Sequence, residues 1–293
     1  MISKRKSPVD RIKDSLVDIP APVLNHLPEG YKRFGNVMVL YLPDILTPYC
    51  KRIGEQYLKE FGVEAVINIK RVYGDLRIPD AELIAGIKRD AIYKENSVIY
   101  EFDPLHIMFS PGNKHVRKVI ADDINKNDVV VDMFAGIGYF SIPAVKKEPD
   151  IKVYAIEKNA TSYHYLIKNI KQNHAENNII PVYGDCRNIY IGNVATKIFM
   201  GYFGNTIKYL PYALNFASKN CVIYFHDVMD RSNGLDRSMC NIKNVIKNTE
   251  FIINGDMETM IVKEVSKTMV HGMIRIPVSK KNDKDSQYIR DSH

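Results

Sequence analysis

The sequence predicts an α/β protein in which a doubly wound parallel sheet follows a small N-terminal α+β domain. Two observations carry this prediction. From Asp128 onward, strand-like and helix-like segments alternate, which is typical of a parallel sheet with right-handed crossovers. Residues 129–140, VVVDMFAGIGYF, join a β-branched run to a turn with two glycines, as at the first strand of a nucleotide-binding sheet.

Composition limits the classes of function. A chain of 293 residues holds one large domain or two modest ones, and its net charge of +7 suits a polyanionic partner without proving one. No apolar run approaches the roughly 20 residues that cross a bilayer, and no apolar segment follows the basic N-terminus, so we expect neither a membrane span nor a secretory signal. Four widely spaced cysteines without a C-x-x-C pair predict a cytoplasmic protein and no metal site.

The first part of the chain divides into two predicted regions. Residues 1–28 are polar, basic and interrupted by prolines, so we expect a basic flexible arm. Residues 29–112 predict a small α+β domain. It starts with the strand-like VMVLYLPD after Gly35, continues with helical spacing over 45–61 and strand-like alternation over 65–71, and ends in short strands and charged turns.

Residues 113–278 predict the larger domain. A helix over 113–124 leads into it, further helices begin at 139 and span 160–173, and two last apolar runs, 260–265 and 273–278, predict a terminal antiparallel hairpin. Residues 279–293 lack an apolar pattern and predict a disordered tail. The predicted strands are residues 129–134, 152–157, 179–182, 197–200 and 222–226.

The glycine turn argues against a dinucleotide. Gly136 and Gly138 fit a nucleotide-binding turn, but Ser141 stands where a dinucleotide site has its third glycine. Asp132, at the end of the first strand, fits poorly beside a pyrophosphate. Its carboxylate would attract a cationic cofactor, and S-adenosylmethionine carries both an amine and a sulfonium.

Two further acids follow the next two strands. Glu157 ends the second strand, 25 residues after Asp132, close to the spacing of a ribose-binding acid. Asp185 follows the third strand, where it can accept the adenine amino group. One such acid alone is better explained by the polarity of turns. Three acids after successive strands, beside a Gly-x-Gly turn, predict an S-adenosylmethionine site.

Several motifs together resemble a known family. The motifs DMFAGIGYFSIP, AIEKNATSYHYL, YGDCRN, GDLRIP and FSPGN are similar to those of tRNA-modifying enzymes that act on the purine just 3′ of the anticodon. The resemblance covers roughly residues 35–278. It implies a class I methyltransferase-like (Rossmann-like) sheet, S-adenosylmethionine as cofactor, and tRNA as partner, with residues 29–112 positioning the tRNA.

The family has two branches. One methylates a ring nitrogen of guanine. The other, the archaeal-type wybutosine-synthesis branch, transfers the 3-amino-3-carboxypropyl group of S-adenosylmethionine to carbon seven of 4-demethylwyosine in phenylalanine tRNA.

The turn after the fourth strand favours the second branch. Methylases that act on base nitrogens often end this strand with Asn and Pro, whereas residues 200–203 read Met-Gly-Tyr-Phe, which resembles the aminocarboxypropyl branch. We therefore expect a tRNA(Phe) aminocarboxypropyltransferase. The alternative in the same family is a tRNA guanine-N1-methyltransferase. A catalytically silent RNA-binding protein is the alternative from another class, and the three retained acids argue against it.

The resemblance also implies roles for individual residues. Ser110 and Arg117 would contact the cofactor, Glu157 would bind the ribose, and Asp185 with Cys186 would hold the adenine. Without the resemblance, Ser110 is better explained as a turn hydroxyl and Arg117 as a solvated charge. Cys186 departs from the Asn common after this acid, a change that a backbone contact survives.

Neither the catalytic base nor the RNA-binding surface is evident from the residues. Candidates for the base are His226, Asp227 and Tyr202, although a histidine at a strand end is more often structural and a tyrosine more often packs. A basic set in the small domain would track tRNA phosphates or form an ordinary solvated face. The oligomeric state stays open. The basic set comprises Arg77, Lys88, Arg89 and Lys94.

Overall fold

The computed structural model describes residues 6–74 and 76–282, and these fall into two compact units. The first unit ends at Lys94 and also contains Ile99–Phe109. The second contains Glu95–Val98 and continues from Ser110. The sequence places the corresponding division between residues 112 and 113.

The first unit is built on a four-stranded sheet with one long helix. Strands β2 and β3 are parallel, and the other two neighbouring pairs are antiparallel. Helix α3, Cys50–Phe61, packs on β3 and β4 and buries Ile53 and Tyr57. The sheet has the order β1 (Lys32–Phe34), β2 (Val37–Leu40), β3 (Ala65–Tyr73) and β4 (Ile78–Gly86). A separate hairpin joins β5 (Ala91–Glu95) and β6 (Val98–Phe102).

The expectation of a flexible arm over residues 1–28 is wrong for its described part. Residues Pro8–Ser15 form helix α1 and Ala21–Leu24 form the short helix α2. Ser7 caps α1 by accepting from the Asp10 N–H at 3.1 Å, while the Asp10 carboxylate accepts from the Ser7 N–H. The polar composition hides an apolar stripe that packs into the core of the first unit. Its residues are Val9, Ile12, Leu16, Ile19, Leu24 and Leu27.

The second unit confirms the predicted alternation of strands and helices. Helix α4 leads into β7, and the chain then runs through β8 to β11 with helices between successive strands. Its elements are α4 (Lys114–Asp122), β7 (Val129–Asp132), α5 (Ser141–Lys147), β8 (Lys152–Glu157), α6 (Ala160–Gln172), β9 (Ile179–Tyr183), β10 (Ala195–Met200), α7 (Leu210–Leu214), β11 (Ala217–Asp230), α8 (Gly234–Lys247), β12 (Phe251–Ile253), β13 (Glu258–Glu264) and β14 (Met269–Lys280).

The sheet of the second unit is doubly wound, as predicted. Its order is β12-β14-β11-β10-β7-β8-β9, with β13 also paired to β14. The five strands from β11 to β9 are parallel, and β14 joins them antiparallel to β11. The chain reverses direction across the sheet between β7 and β10, and such a switch point is where open α/β sheets bind ligands.

The end of the chain matches the predicted hairpin, with one correction. β13 and β14 pair antiparallel, and β14 runs through Ser279 to Lys280, so the predicted tail starts at least two residues too early. Alternating buried side chains on β14 keep it in the sheet. Residues 283–293 of the predicted tail lie outside the described residues. Among the helices of the described chain, none is long and apolar enough to span a bilayer.

Candidate active site

Three carboxylates follow neighbouring parallel strands of the second unit. Asp132 is the last residue of β7, Glu157 is the last residue of β8, and Asp185 follows β9 by two residues. β8 lies between β7 and β9, with Asp132 in register with Ala155 and Glu157 with Tyr183. The three acids therefore lie along one edge of the sheet, the carboxyl edge, as the sequence predicts.

The turn between β7 and α5 requires its glycines. Gly136 and Gly138 have φ angles of +58° and +97°, in the left-handed region. The Glu157 carboxylate holds this turn, accepting from the Gly136 N–H at 2.8 Å and from the Asn159 N–H at 2.7 Å. Each carboxylate oxygen has a second lone pair, so Glu157 can hold the turn and still accept two ribose hydroxyls. Burial raises the pKa of Glu157.

Asp132 is fully buried next to the same turn. Its carboxylate accepts a hydrogen bond from the Ser141 hydroxyl at 2.7 Å and a longer one, 3.3 Å, from the Phe134 N–H. Burial raises the pKa of Asp132 to about 7, against the opposing effect of the Ser141 hydrogen bond. A cation placed beside this carboxyl group would favour its ionised form. The site is therefore suited to a positively charged ligand.

Asp185 and Cys186 offer less side-chain chemistry than expected. The Asp185 carboxylate accepts from the Arg187 guanidinium at 3.0 and 2.8 Å, and this lowers the pKa of Asp185. The Cys186 thiol lies in the hydrophobic core, where burial raises its pKa well above the ordinary value. A contact between this segment and an adenine ring is therefore better made by the backbone than by the thiol.

Ser110 and Arg117 lie at the start of α4. Ser110 precedes a 3₁₀ turn, Pro111–Asn113, and its carbonyl accepts from Arg117 Nη2 at 3.2 Å. Arg117 is 2% exposed and bidentate on Glu95, with Nε to Oε1 at 2.5 Å and Nη2 to Oε2 at 2.9 Å. Arg117 is thus a buried ion pair and not a solvated charge. Glu95 carries no sequence signal for this role.

The loop after β10 holds Tyr202 and Asp227 in structural contacts. Tyr202 is buried, stacked on Phe134 with ring centroids 4.9 Å apart. Asp227 accepts from the Gly204 and Thr206 N–H groups, each at 3.1 Å. Burial raises the pKa of Asp227, and the backbone donors oppose that shift. Both side chains fix the loop that the sequence identifies as the branch-specific turn.

His226 forms a buried pair with His271. His226 Nδ1 lies 2.9 Å from His271 Nε2, and the His226 ring lies 5.2 Å from that of Phe140 in the glycine turn. His226 is 1% exposed, and burial lowers its pKa to about 3, so the imidazole is neutral near pH 7. Its Nε2 makes no hydrogen bond within the described residues.

The donor set fits S-adenosylmethionine. Glu157 offers acceptors for ribose hydroxyls, Asp132 offers a carboxyl group for positive charge, and the turn at Gly136 and Gly138 leaves no side chain over them. No group of His, Cys, Asp and Glu within residues 6–74 and 76–282 is arranged to hold a metal ion. Sequence reasoning missed the part of Ser141, seen only as a missing glycine, and that of Lys263, whose Nζ donates to Ser110 Oγ at 2.7 Å.

The basic residues expected to track RNA are only partly available for it. Lys88 lies 3.1 Å from Asp103, and Arg89 pairs with Glu64. Arg77 donates to Met108 Sδ at 3.2 Å. These contacts lie within the first unit.

Comparison with known families identifies relatives for both parts of the chain. Residues 91–254 match the TRM5/TYW2 methyltransferase domain, and residues 12–89 match the TYW2 N-terminal domain. The tRNA(Phe) (4-demethylwyosine(37)-C(7)) aminocarboxypropyltransferase of Pyrococcus horikoshii is 35% identical over 75% of this chain and 79% of its own. The protein of the same name from Methanocaldococcus jannaschii is 34% identical over 73% of this chain and 84% of its own.

Methyltransferases and solved structures are also similar. The tRNA (guanine(37)-N(1))-methyltransferase Trm5b of Pyrococcus abyssi is 31% identical over 72% of this chain and 63% of its own. The crystal structure of P. horikoshii TYW2 in complex with MeSAdo has a TM-score of 0.82 and 29% identity, covering 93% of this chain and all of that one.

Proposed function

The chain belongs to the TRM5/TYW2 methyltransferase family, and on that premise we propose that it transfers the 3-amino-3-carboxypropyl group of S-adenosylmethionine to carbon seven of 4-demethylwyosine, 3′ of the anticodon in tRNA(Phe). The observation that carries this choice of branch is the match of residues 12–89 to the TYW2 N-terminal domain. The guanine-N1-methyltransferase reading has less support, because the chain covers a smaller share of that relative.

The residues at the carboxyl edge take defined roles in this proposal. Glu157 accepts the ribose hydroxyls while it holds the glycine turn, and the backbone of Asp185 and Cys186 lies against the adenine edge. Asp132 draws the positive charge of the cofactor toward the turn at Gly136 and Gly138. These contacts fix the nucleoside, so the product depends on how the amino acid end is oriented at the other side of the turn.

Alignment is the main task of the protein in this reaction. When bound, S-adenosylmethionine supplies a γ-carbon activated by the neighbouring sulfonium, with methylthioadenosine as the leaving group. The chain adds orientation and exclusion of water, which lower the barrier by holding the reacting carbons in line. His226, Asp227 and Tyr202 are buried or engaged, and we assign them to holding the loop after β10 rather than to proton transfer.

The substrate class follows from the family. The protein acts on tRNA, and the choice of tRNA(Phe) rests on the names of the aminocarboxypropyltransferase relatives. We also propose that it acts in the cytoplasm, where S-adenosylmethionine and tRNA are available.

The test uses two preparations of S-adenosylmethionine, one labelled in the methyl group and one in the carboxyl group. Each is incubated with the protein and with tRNA(Phe) that carries 4-demethylwyosine. We expect carboxyl label on the tRNA without methyl label. Methyl label on the tRNA, or on a parallel tRNA with guanine at this position, would contradict the proposal and favour the methyltransferase branch.

A variant and a binding measurement complete the test. Glu157→Ala removes the acceptor for the ribose and the support of the Gly136 N–H, so the carboxyl label should fall to background. Wild-type protein should unfold at a higher temperature with S-adenosylmethionine, because the ligand binds the folded state. No shift at saturating cofactor would favour a silent RNA-binding protein.

A further inference from the structure

Lys263 and Ser110 form a contact that the proposed roles leave unused. Lys263 lies on β13, and its Nζ donates to Ser110 Oγ at 2.7 Å across 153 residues of sequence. A Cβ at Gly112 would lie 3.7 Å from Lys263 Cδ and 3.9 Å from Ser110 Oγ. The lysine side chain therefore extends over the turn that precedes α4 and ends at its first hydroxyl.

The neighbouring arginine is already neutralised. The Arg117 guanidinium meets both oxygens of Glu95, and the side chains of this pair are 2% and 1% exposed. A buried bidentate pair of this kind holds its charges tightly, because separating them leaves an unpaired charge in the protein interior. Lys263 therefore adds the uncompensated positive charge of this group, next to a hydroxyl that can donate.

This group lies at the carboxyl edge of the sheet. Lys263 pairs with His271, and His271 pairs with Val228, three residues beyond the β11 residue that faces Met200 at the end of β10. Helix α4 begins at the same edge, because it ends at Asp123, where Lys197 of β10 approaches to 3.3 Å, before β7 starts.

Helix α4 also packs on α5, the helix that follows the glycine turn. The start of α4 thus borders the turn on the side away from Glu157 and β9. A cofactor whose ribose is held at Glu157 extends its amino acid end from the turn toward this side.

We propose that Lys263, together with the Ser110 hydroxyl, binds the carboxylate of the aminocarboxypropyl group of S-adenosylmethionine. This inference rests on the proposed function and adds the residue that orients the transferred group. An ammonium group beside a hydroxyl provides two donors for a carboxylate, and the start of α4 favours negative charge at the same place. Fixing the carboxylate would limit rotation of the methionyl chain and so present the γ-carbon.

The alternative is that Lys263 only ties the terminal hairpin to the turn before α4. Three ligands separate these roles: S-adenosylmethionine, decarboxylated S-adenosylmethionine and methylthioadenosine. The second lacks only the carboxylate, and the third lacks the whole aminocarboxypropyl group. A structural lysine would affect the affinity of all three, whereas a carboxylate-binding lysine would affect that of the first.

The experiment measures the dissociation constants of the three ligands by calorimetry for wild type, Lys263→Met and Lys267→Met. Lys267 is an exposed lysine on the connection between β13 and β14 and serves as the matched control. For Lys263→Met we expect S-adenosylmethionine to bind about 10- to 100-fold more weakly, as for loss of a hydrogen bond between charged groups. The affinity of the other two ligands should change by less than about twofold, and Lys267→Met should match wild type.

The outcomes distinguish the two proposals. An equal loss for all three ligands, or no loss for any, would overturn the role of Lys263 while leaving aminocarboxypropyl transfer intact if wild type still transfers the carboxyl label. Wild-type protein that binds none of the three ligands would overturn both proposals. Thermal unfolding without ligand shows whether Lys263→Met is folded, and the ratio between the first two ligands is independent of the folded fraction.

Discussion

The Ser141 hydroxyl donates a 2.7 Å hydrogen bond to the fully buried carboxylate of Asp132, nine residues earlier in the chain. Ser141 is the first residue of α5 and stands where dinucleotide sites place a glycine. The substitution thus has a positive function, because a donor at this position stabilises a buried acid beside the glycine turn. A glycine would leave that acid to the Phe134 N–H, at 3.3 Å.

We expect Ser141→Ala to destabilise the folded protein at pH 8, where Asp132 is mostly ionised. Losing a hydrogen bond to a buried charge costs about 1–3 kcal/mol, and denaturant unfolding without cofactor measures it. Ser218→Ala, which removes a surface hydroxyl bonded to the Asn220 carbonyl, is the control and should change stability by less than about 0.5 kcal/mol. Equal effects of the two substitutions would show that the Ser141 bond adds nothing.

Asp132→Asn should stabilise the cofactor-free protein, and more so at higher pH. The folded-state pKa of about 7 lies above the unfolded value of 3.8, so the contribution of Asp132 to stability is present below pH 3.8 and lost as pH rises through 7. Asn stays neutral and still accepts from Ser141. The gain over wild type should therefore grow from pH 5 to pH 8, to a few kcal/mol at most, on the order expected for a shift of this size.

The same variant should bind its cofactor less well, because an amide does not attract the positive charge of S-adenosylmethionine. Thermal unfolding of both proteins at several pH values, with and without S-adenosylmethionine, gives both quantities. A gain independent of pH would show that Asp132 does not titrate in this range.

The sequence carries the local part of the site and misses the long-range part. Asp132, Glu157 and Asp185 can be placed because each follows a strand with its own pattern, and parallel strands bring their ends to one edge. The pairs Arg117–Glu95 and Lys263–Ser110 join residues 22 and 153 positions apart, and no periodicity links them. Helix α1 was missed for another reason: its polar composition outweighed the capping residues and the spacing of its apolar stripe.

The packing of that N-terminal helix makes a direct prediction. Leu16 is fully buried in the core of the first unit, whereas its neighbour Val17 is 89% exposed. We expect Leu16→Ala to lower the free energy of unfolding by about 2–5 kcal/mol, as for other buried leucines, and Val17→Ala to change it by less than about 0.5 kcal/mol. Urea unfolding measures both. Similar small effects would restore the reading of this region as a flexible arm.

The His226–His271 pair predicts sensitivity to acid. Burial holds the pKa of His226 at about 3, below the unfolded value of 6.5, so its contribution to stability is present above pH 6.5 and is lost as pH falls toward 3. This slope is opposite in sign to that of Asp132, and the two overlap between pH 4 and pH 6.5. Each must therefore be measured as a difference between a variant and wild type.

His226→Asn isolates the histidine. Asn places a polar atom near the position of Nδ1 and can keep the contact with His271, but it does not titrate. Wild type should lose stability relative to this variant as pH falls from 7 to 5, while His26→Asn, at an exposed histidine, should follow wild type. A constant difference between wild type and His226→Asn would contradict the buried neutral state.

The same variant tests His226 as a catalytic base. A buried imidazole with a pKa of about 3 is a weak proton acceptor near pH 7, so we expect a structural role. Loss of a general base costs about 100-fold or more in rate, whereas loss of a packing residue costs much less once the folded fraction is counted. Single-turnover transfer of the carboxyl label by His226→Asn, at saturating S-adenosylmethionine, decides between them. A rate reduced by about 100-fold in a folded, cofactor-binding variant would make His226 the proton acceptor for carbon seven.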